Sequence, residues 1–117
     1  MNELIKKSAG ELAKLIQTKE VSSREIVQAH LDRINEVNPD INAVTVILEE
    51  SALALSDQAY NAIDDERNRP FHGVPITIKE NVDLVGSPTT NGIALLKDSF
   101  PNENAPLVDR MLNAGAI

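Results

Sequence analysis

Cysteine and tryptophan are absent from the 117 residues, and the aromatic side chains are Tyr60, Phe71 and Phe100. Without thiols there is no disulfide framework, no thiol nucleophile and no cysteine-based zinc site; the redox compartment stays open, though compatible with cytosol. Positive charge is scarce as well, with 11 Lys and Arg against 18 Asp and Glu and a formal net charge of −7. Such a surface, with so few stacking platforms, lacks what phosphate neutralisation and base stacking require, so direct nucleic-acid binding is not expected. Long apolar runs are missing too: the stretch Met1-Asn2-Glu3-Leu4-Ile5-Lys6-Lys7 leads into polar amphipathic sequence rather than a signal-peptide core or membrane span. The expectation is a cytoplasmic protein that does not enter a membrane.

What is present is ordinary globular composition, 42% hydrophobic and 25% charged, in a length that makes one domain or part of one. Ser8-Ala9-Gly10-Glu11 has the spacing of a capping box, and Leu12, Leu15 and Ile16 follow as the apolar stripe of a short helix. Ser22-Ser23-Arg24-Glu25 repeats that spacing, with Val21 and Ile26 placed as a hydrophobic staple. This second stripe runs through Val27, Leu31, Ile34 and Val37, and Asn38-Pro39-Asp40 is expected to stop it. Residues 41–48 carry Ile41, Val44, Thr45, Val46 and Ile47, which predicts a short buried strand. From Glu49 the sequence favours a third helix with Ala52, Leu55, Ala59 and Ile63 inward, ending in the charged run 64–69 before Pro70.

Residues 71–79 return to strand character. Val74, Ile76 and Ile78 share one face while Thr77 and Lys79 share the other, which places Lys79 at a strand end. Gly86, Pro88, Thr89, Thr90, Asn91 and Gly92 then form a loop that is polar without being charged, of the kind that lines sites. A last helix starts near Asn104-Ala105-Pro106, turns Leu107, Val108, Met111 and Leu112 to one side and closes at Gly115. Ala116-Ile117 reads as the first step of a further buried strand, so the chain is expected to be truncated.

Few residues offer chemistry. His30 and His72 have no metal-binding partner at helical spacing, and Asp64-Asp65-Glu66 lacks the alternation and central glycine of a calcium loop, so no metal site is expected. Neither a phosphate-cradling glycine pattern nor a nucleophile elbow occurs. Lys79 stands apart: at the end of a buried strand it is either a general base whose charged form is disfavoured by its surroundings, or a strand-end lysine reaching solvent.

The run Gly73-Val74-Pro75-Ile76-Thr77-Ile78-Lys79-Glu80-Asn81-Val82-Asp83, followed by Gly86-Ser87-Pro88-Thr89-Thr90-Asn91-Gly92 and Asn104-Ala105-Pro106-Leu107-Val108 through Ala114-Gly115-Ala116-Ile117, resembles the N-terminal part of the amidase signature family. The second-helix segment from Val21 to Pro39 and the step Ile41-Asn42-Ala43 are similar to it too. The resemblance implies an α/β fold, a mixed sheet flanked by helices, with residues 1–117 as the N-terminal fragment of a single amidase domain. Its helical part covers about 8–66, the first active-site strand and loop about 71–100, and a helix about 105–114.

It further implies that Lys79 belongs to a Ser-cisSer-Lys triad, acting as general base through a bridging serine on the nucleophile. Both serines sit in a Gly/Ser-rich segment that these 117 residues do not contain, and Ser87, Thr89 and Thr90 do not match their positions. The implied parent hydrolyses a small-molecule carboxylic amide to acid and ammonia or amine, without metal or organic cofactor. The fragment alone is expected to be inactive and prone to self-association. Glu80 stands where aspartate is usual, and Asn91-Gly92-Ile93 where a small residue, glycine and serine are frequent. Two other readings remain: the glutaminase subunit of an aminoacyl-tRNA amidotransferase, and a non-catalytic interaction module.

Overall fold

In the computed structural model, residues 2–117 are described; Met1, the first residue of the polar N-terminal stretch, lies outside the described residues. They form two compact units, one holding the chain up to Ile76 together with Ala114–Ile117, the other Thr77–Asn113.

The first unit is built from helices. A 3-10 turn at Glu3–Lys6 precedes α1 (Ala9–Gln17) and α2 (Ser23–Ile41). Both α-helices start on complete capping boxes: the Ser8 and Ser22 hydroxyls accept from the N–H groups of Glu11 and Glu25, whose carboxylates accept from the serine N–H groups in return. Each box satisfies two backbone donors that a helix start leaves unpaired. Behind them Leu12, Ala13, Ile16, Ile26 and Val74 form the buried core, with Leu4, Val21 and Phe71 packed against it. Val21 and Ile26, the staple pair, therefore share one cluster.

Three expectations are corrected. Pro39 does not stop α2, which continues to Ile41. Proline removes one helical hydrogen bond and disfavours its predecessor's helical geometry, but the turn still closes through the Asn42 N–H to the Asn38 carbonyl at 2.7 Å. The stop comes three residues later, where Asn42 takes the left-handed conformation at φ 46. Residues 41–48 are not a buried strand either. Ile41 ends the helix, Val46, Ile47 and Leu48 are exposed, and the segment's order comes from the Asn38 side chain, which bonds both the N–H and the carbonyl of Val44. Apolar, β-branched composition cannot make a strand without a partner to complete its hydrogen bonds.

The third correction concerns α3 (Glu49–Tyr60), which packs against α2. Its inward face centres on Ser56, fully buried, with Ala52, Leu53 and Ala59 half-buried around it, whereas Leu55 and Ile63 are exposed. A small serine permits close approach, and its hydroxyl is satisfied by the Leu53 carbonyl at 2.6 Å. The charged run after Tyr60 forms a short helix of its own, α4 (Asp64–Arg67).

Among the described residues no strand is formed, so the strand expected over 71–79 is an extended run at 74–79 rather than part of a sheet, for want of neighbouring strands to pair with. Ile117 nevertheless donates its N–H to the Val74 carbonyl at 2.8 Å and accepts from the Ile76 N–H at 2.7 Å. One residue bonding on both sides of a single neighbour is the hydrogen-bond pattern of a parallel pair. Gly73 and Phe71 also donate to the Gly115 and Ala114 carbonyls, out of register with that pair.

Candidate active site

Two glycines of the first unit sit where backbone packs too closely for a side chain. Gly73 has φ +74, and a Cβ there would lie 2.9 Å from Cβ and Oγ of Ser23, the first residue of α2. Ser23 is fully buried and donates to the Gly73 carbonyl at 2.6 Å. Gly115, at φ +96, leaves no room for a side chain because the His72 backbone lies 2.7 Å from where its Cβ would be. His72 is buried, and its Nε2 lies 3.0 Å from the Ala59 carbonyl at the end of α3. A carbonyl only accepts, so that nitrogen carries the proton and is committed to holding the chain. His30 is likewise occupied, with Nδ1 2.8 Å from the Ile26 carbonyl.

From Val74 to Lys79 the backbone is extended and the faces alternate. Val74 is buried and Ile76 and Ile78 are half-buried, while Thr77 and Lys79 are exposed. Lys79 then accepts the Val82 N–H on its carbonyl at 2.9 Å, which turns the chain immediately after the lysine. The parity is what alternation of apolar residues dictates.

The Thr77–Asn113 unit consists of a folded polar loop and α5 (Pro106–Asn113). Leu84 and Ser87 face each other across a tight turn in which Gly86 has φ +89, the geometry that asks for glycine at its third residue. A second turn runs from Thr90 to Ile93, closed by the Ile93 N–H to the Thr90 carbonyl at 2.9 Å. Asn91 at φ 51 and Gly92 at φ +73 make it a type I′ turn, for which Asn-Gly is the preferred pair.

Three side chains tie these turns together. The Glu80 carboxylate accepts the N–H groups of Thr90 at 2.5 Å and Asn91 at 3.0 Å. Asp83 accepts the Thr89 hydroxyl at 2.7 Å and, through its carbonyl, the Ala105 N–H at 2.9 Å. Asn104 accepts the Val85 N–H at 2.8 Å. Hydrogen bonding from Thr90 first, and from Asn91 after it, holds Glu80 below the ordinary carboxylate range. The sequence reading places Lys79 and the polar loop but misses Glu80 as their link. The sequence marks residues 86–92 as a polar loop without resolving its turns, and a carboxylate bonding ten residues ahead has no local signature.

Chemically, an exposed amine ends an extended run, and the uncharged loop of residues 86–92 that follows in sequence is held by hydrogen bonds to Glu80 and Asp83. Residues 25–117 match the Amidase family. The chain is 44% identical over 115 residues to an indoleacetamide hydrolase of Bradyrhizobium diazoefficiens, an alignment covering 94% of this chain and 21% of that protein. It is 36% identical over 117 residues to the A subunit of the glutamyl-tRNA(Gln) amidotransferase of Dehalococcoides mccartyi, covering 100% of this chain and 24% of the relative. Peptide amidase from Stenotrophomonas maltophilia superposes with a TM-score of 0.84 at 29% identity, over 95% of this chain and 23% of that one. The chain belongs to the amidase signature family, whose solved members share its fold. It spans about a quarter of the length of the relatives it matches.

Proposed function

We propose that this chain forms the N-terminal part of an amide hydrolase in which Lys79 is the general base. The family match across 25–117, with Lys79 at the end of the extended run, carries the reading. In the complete enzyme a neutral Lys79 takes a proton, through a bridging serine, from the nucleophilic serine as it attacks the amide carbonyl. That proton passes back through the relay to the leaving nitrogen, the C–N bond breaks to release amine or ammonia and leave the acyl-serine, and water then releases the acid. Accepting a proton requires the uncharged amine, so the reading needs cover over Lys79, which is exposed in this chain, from the remainder of the enzyme. The hydrogen bonds of Ile117 with Val74 and Ile76 support the same picture, as the first rungs of a mixed sheet. Uncovered, Ile41, Val46, Ile47 and Leu48 lead the isolated chain to self-associate, which sedimentation velocity reads directly.

The test is replacement of Lys79 in the complete enzyme, with ammonia release followed from indole-3-acetamide, benzamide and glutamine. Lys79→Met keeps most of the shape and removes the base; Lys79→Arg keeps the charge and cannot lose it. Each is expected to cost about 10²- to 10⁴-fold in turnover without loss of folding. Near-normal turnover in Lys79→Met would make Lys79 an ordinary solvent-reaching lysine. The similarity to the amidotransferase component supports a second reading, a glutaminase that works within a complex. Glutamine hydrolysis that appears only with partner subunits would select it.

A further inference from the structure

The Thr90–Ile93 turn closes on its own. The Ile93 N–H reaches the Thr90 carbonyl, the Gly92 N–H reaches the Thr90 hydroxyl at 3.1 Å, and the Asn91-Gly92 backbone suits the turn type. Glu80 is therefore not needed to make the turn. Its two carboxylate oxygens take the two outward N–H groups, Thr90 on Oε1 and Asn91 on Oε2, and so set where the turn sits. A carboxylate suits this task because it offers acceptors on both arms; glutamine would set its NH2 group against the second N–H. Glu80 follows Lys79 directly, inside the turn closed by the Val82 N–H on the Lys79 carbonyl. The position of Asn91 is thus tied to the position of the lysine through one side chain. Asn91 itself is exposed, and its side-chain amide makes no hydrogen bond among the described residues. Only the Asn91 backbone is held by Glu80, which leaves the carboxamide free to offer its NH2 donors and its carbonyl acceptor, the complement of a primary amide.

We infer that Glu80 is a positioning residue for amide hydrolysis, fixing the Thr90–Asn91 corner relative to the backbone that carries Lys79 so that the Asn91 side chain forms one wall of the amide-binding site. The inference rests on the amidase reading and adds a role for two residues to it.

Two variants separate the parts. Glu80→Gln frees the corner while keeping the Asn91 side chain; Asn91→Gly keeps the positive φ and removes only the side chain. Backbone amide exchange in the 117-residue chain should quicken roughly tenfold or more at Thr90 and Asn91 in Glu80→Gln, the loss expected for a hydrogen bond to a charged group. In the complete enzyme, both variants should lose about tenfold to a hundredfold in kcat/KM with the most readily hydrolysed primary amide of the panel, carried mainly by KM. Unchanged exchange at Thr90 and Asn91 in Glu80→Gln overturns the role of Glu80. Faster exchange with unaltered KM reduces Glu80 to a structural clamp and overturns the inference, as does an unaltered KM in Asn91→Gly. An unaltered complete protein that hydrolyses no amide overturns the amidase reading first, and is recognised by its wild-type origin.

Discussion

The Ser23 hydroxyl donates to the Gly73 carbonyl at 2.6 Å, fully buried where α2 begins and where the chain turns toward Lys79. The contact requires both residues. Ser23→Ala leaves a buried carbonyl without its partner and is expected to cost about 1–3 kcal/mol. Gly73→Ala meets a positive φ and Ser23 atoms 2.9 Å away, and is expected to cost roughly 2 kcal/mol or more. Urea unfolding of the 117-residue chain reads both, and equal stability in either variant would show that α2 and this turn are not coupled.

Glycine's role at Gly115 differs from its role at Gly10. At Gly115 a Cβ would press on the His72 backbone, so Gly115→Ala should lower the melting temperature and disturb the contact between Gly115 and Gly73. At Gly10 nothing lies within 4 Å, and the residue is inside α1. Gly10→Ala is expected to stabilise the chain by up to about 1 kcal/mol, because alanine loses less backbone entropy in a helix. The two substitutions are chemically identical, so opposite shifts in thermal unfolding isolate the backbone effect.

The capping boxes make helix content sensitive to acid. Hydrogen bonds from the Ser8 and Ser22 side chains, then from their N–H groups, lower the pKa of Glu11 and Glu25. A carboxylate whose folded pKa is depressed gives stability that is present above the unfolded value, about 4.3, and disappears as pH falls through the folded value. Circular dichroism should therefore show helix loss beginning below about pH 4.3, and a shallower loss in Ser22→Ala. At neutral pH Ser22→Ala is itself expected to cost about 1 kcal/mol, the usual value of a serine cap. An acid limb as steep in Ser22→Ala as in the wild type would remove the box as its cause.

Helix starts were legible because a capping box is complete within four residues, and Ser8-Ala9-Gly10-Glu11 contains every group that it uses. Ends and strands depend on distant groups. The end of α2 follows from the Asn38 side chain reaching Val44 and from the left-handed Asn42, neither of which the rule for Pro39 includes. Residues 41–48 carry strand composition but have no strand partner, whereas the Val74 segment owes its backbone hydrogen bonds to Ile117, 43 residues away. In the candidate site, alternation put Lys79 on the face opposite Ile76 and Ile78, and residues 86–92 were legible as a polar loop. The Glu80 bonds to Thr90 and Asn91 were not, because they appear only once two turns have folded against each other.

The isolated chain tests what Lys79 can do without the rest of the enzyme. A positioned base contributes about 10²- to 10⁴-fold to a proton transfer, and each oxyanion donor about 10²- to 10³-fold to the stabilisation of a tetrahedral intermediate. The proposed mechanism also needs a serine to attack and another to relay the proton, and these 117 residues contain no Gly/Ser-rich segment to supply them. Ser87, the serine of the polar loop, sits in the Leu84–Ser87 turn with its N–H on the Leu84 carbonyl, a position set by the turn rather than by Lys79. With Lys79 exposed and the serines of the proposed mechanism missing from these residues, ammonia release from indole-3-acetamide, benzamide and glutamine should stay at the level of buffer alone. Turnover that co-purifies with the chain and disappears in Lys79→Ala would show that these residues suffice for catalysis, and the serine-relay mechanism proposed for the complete enzyme would have to be abandoned.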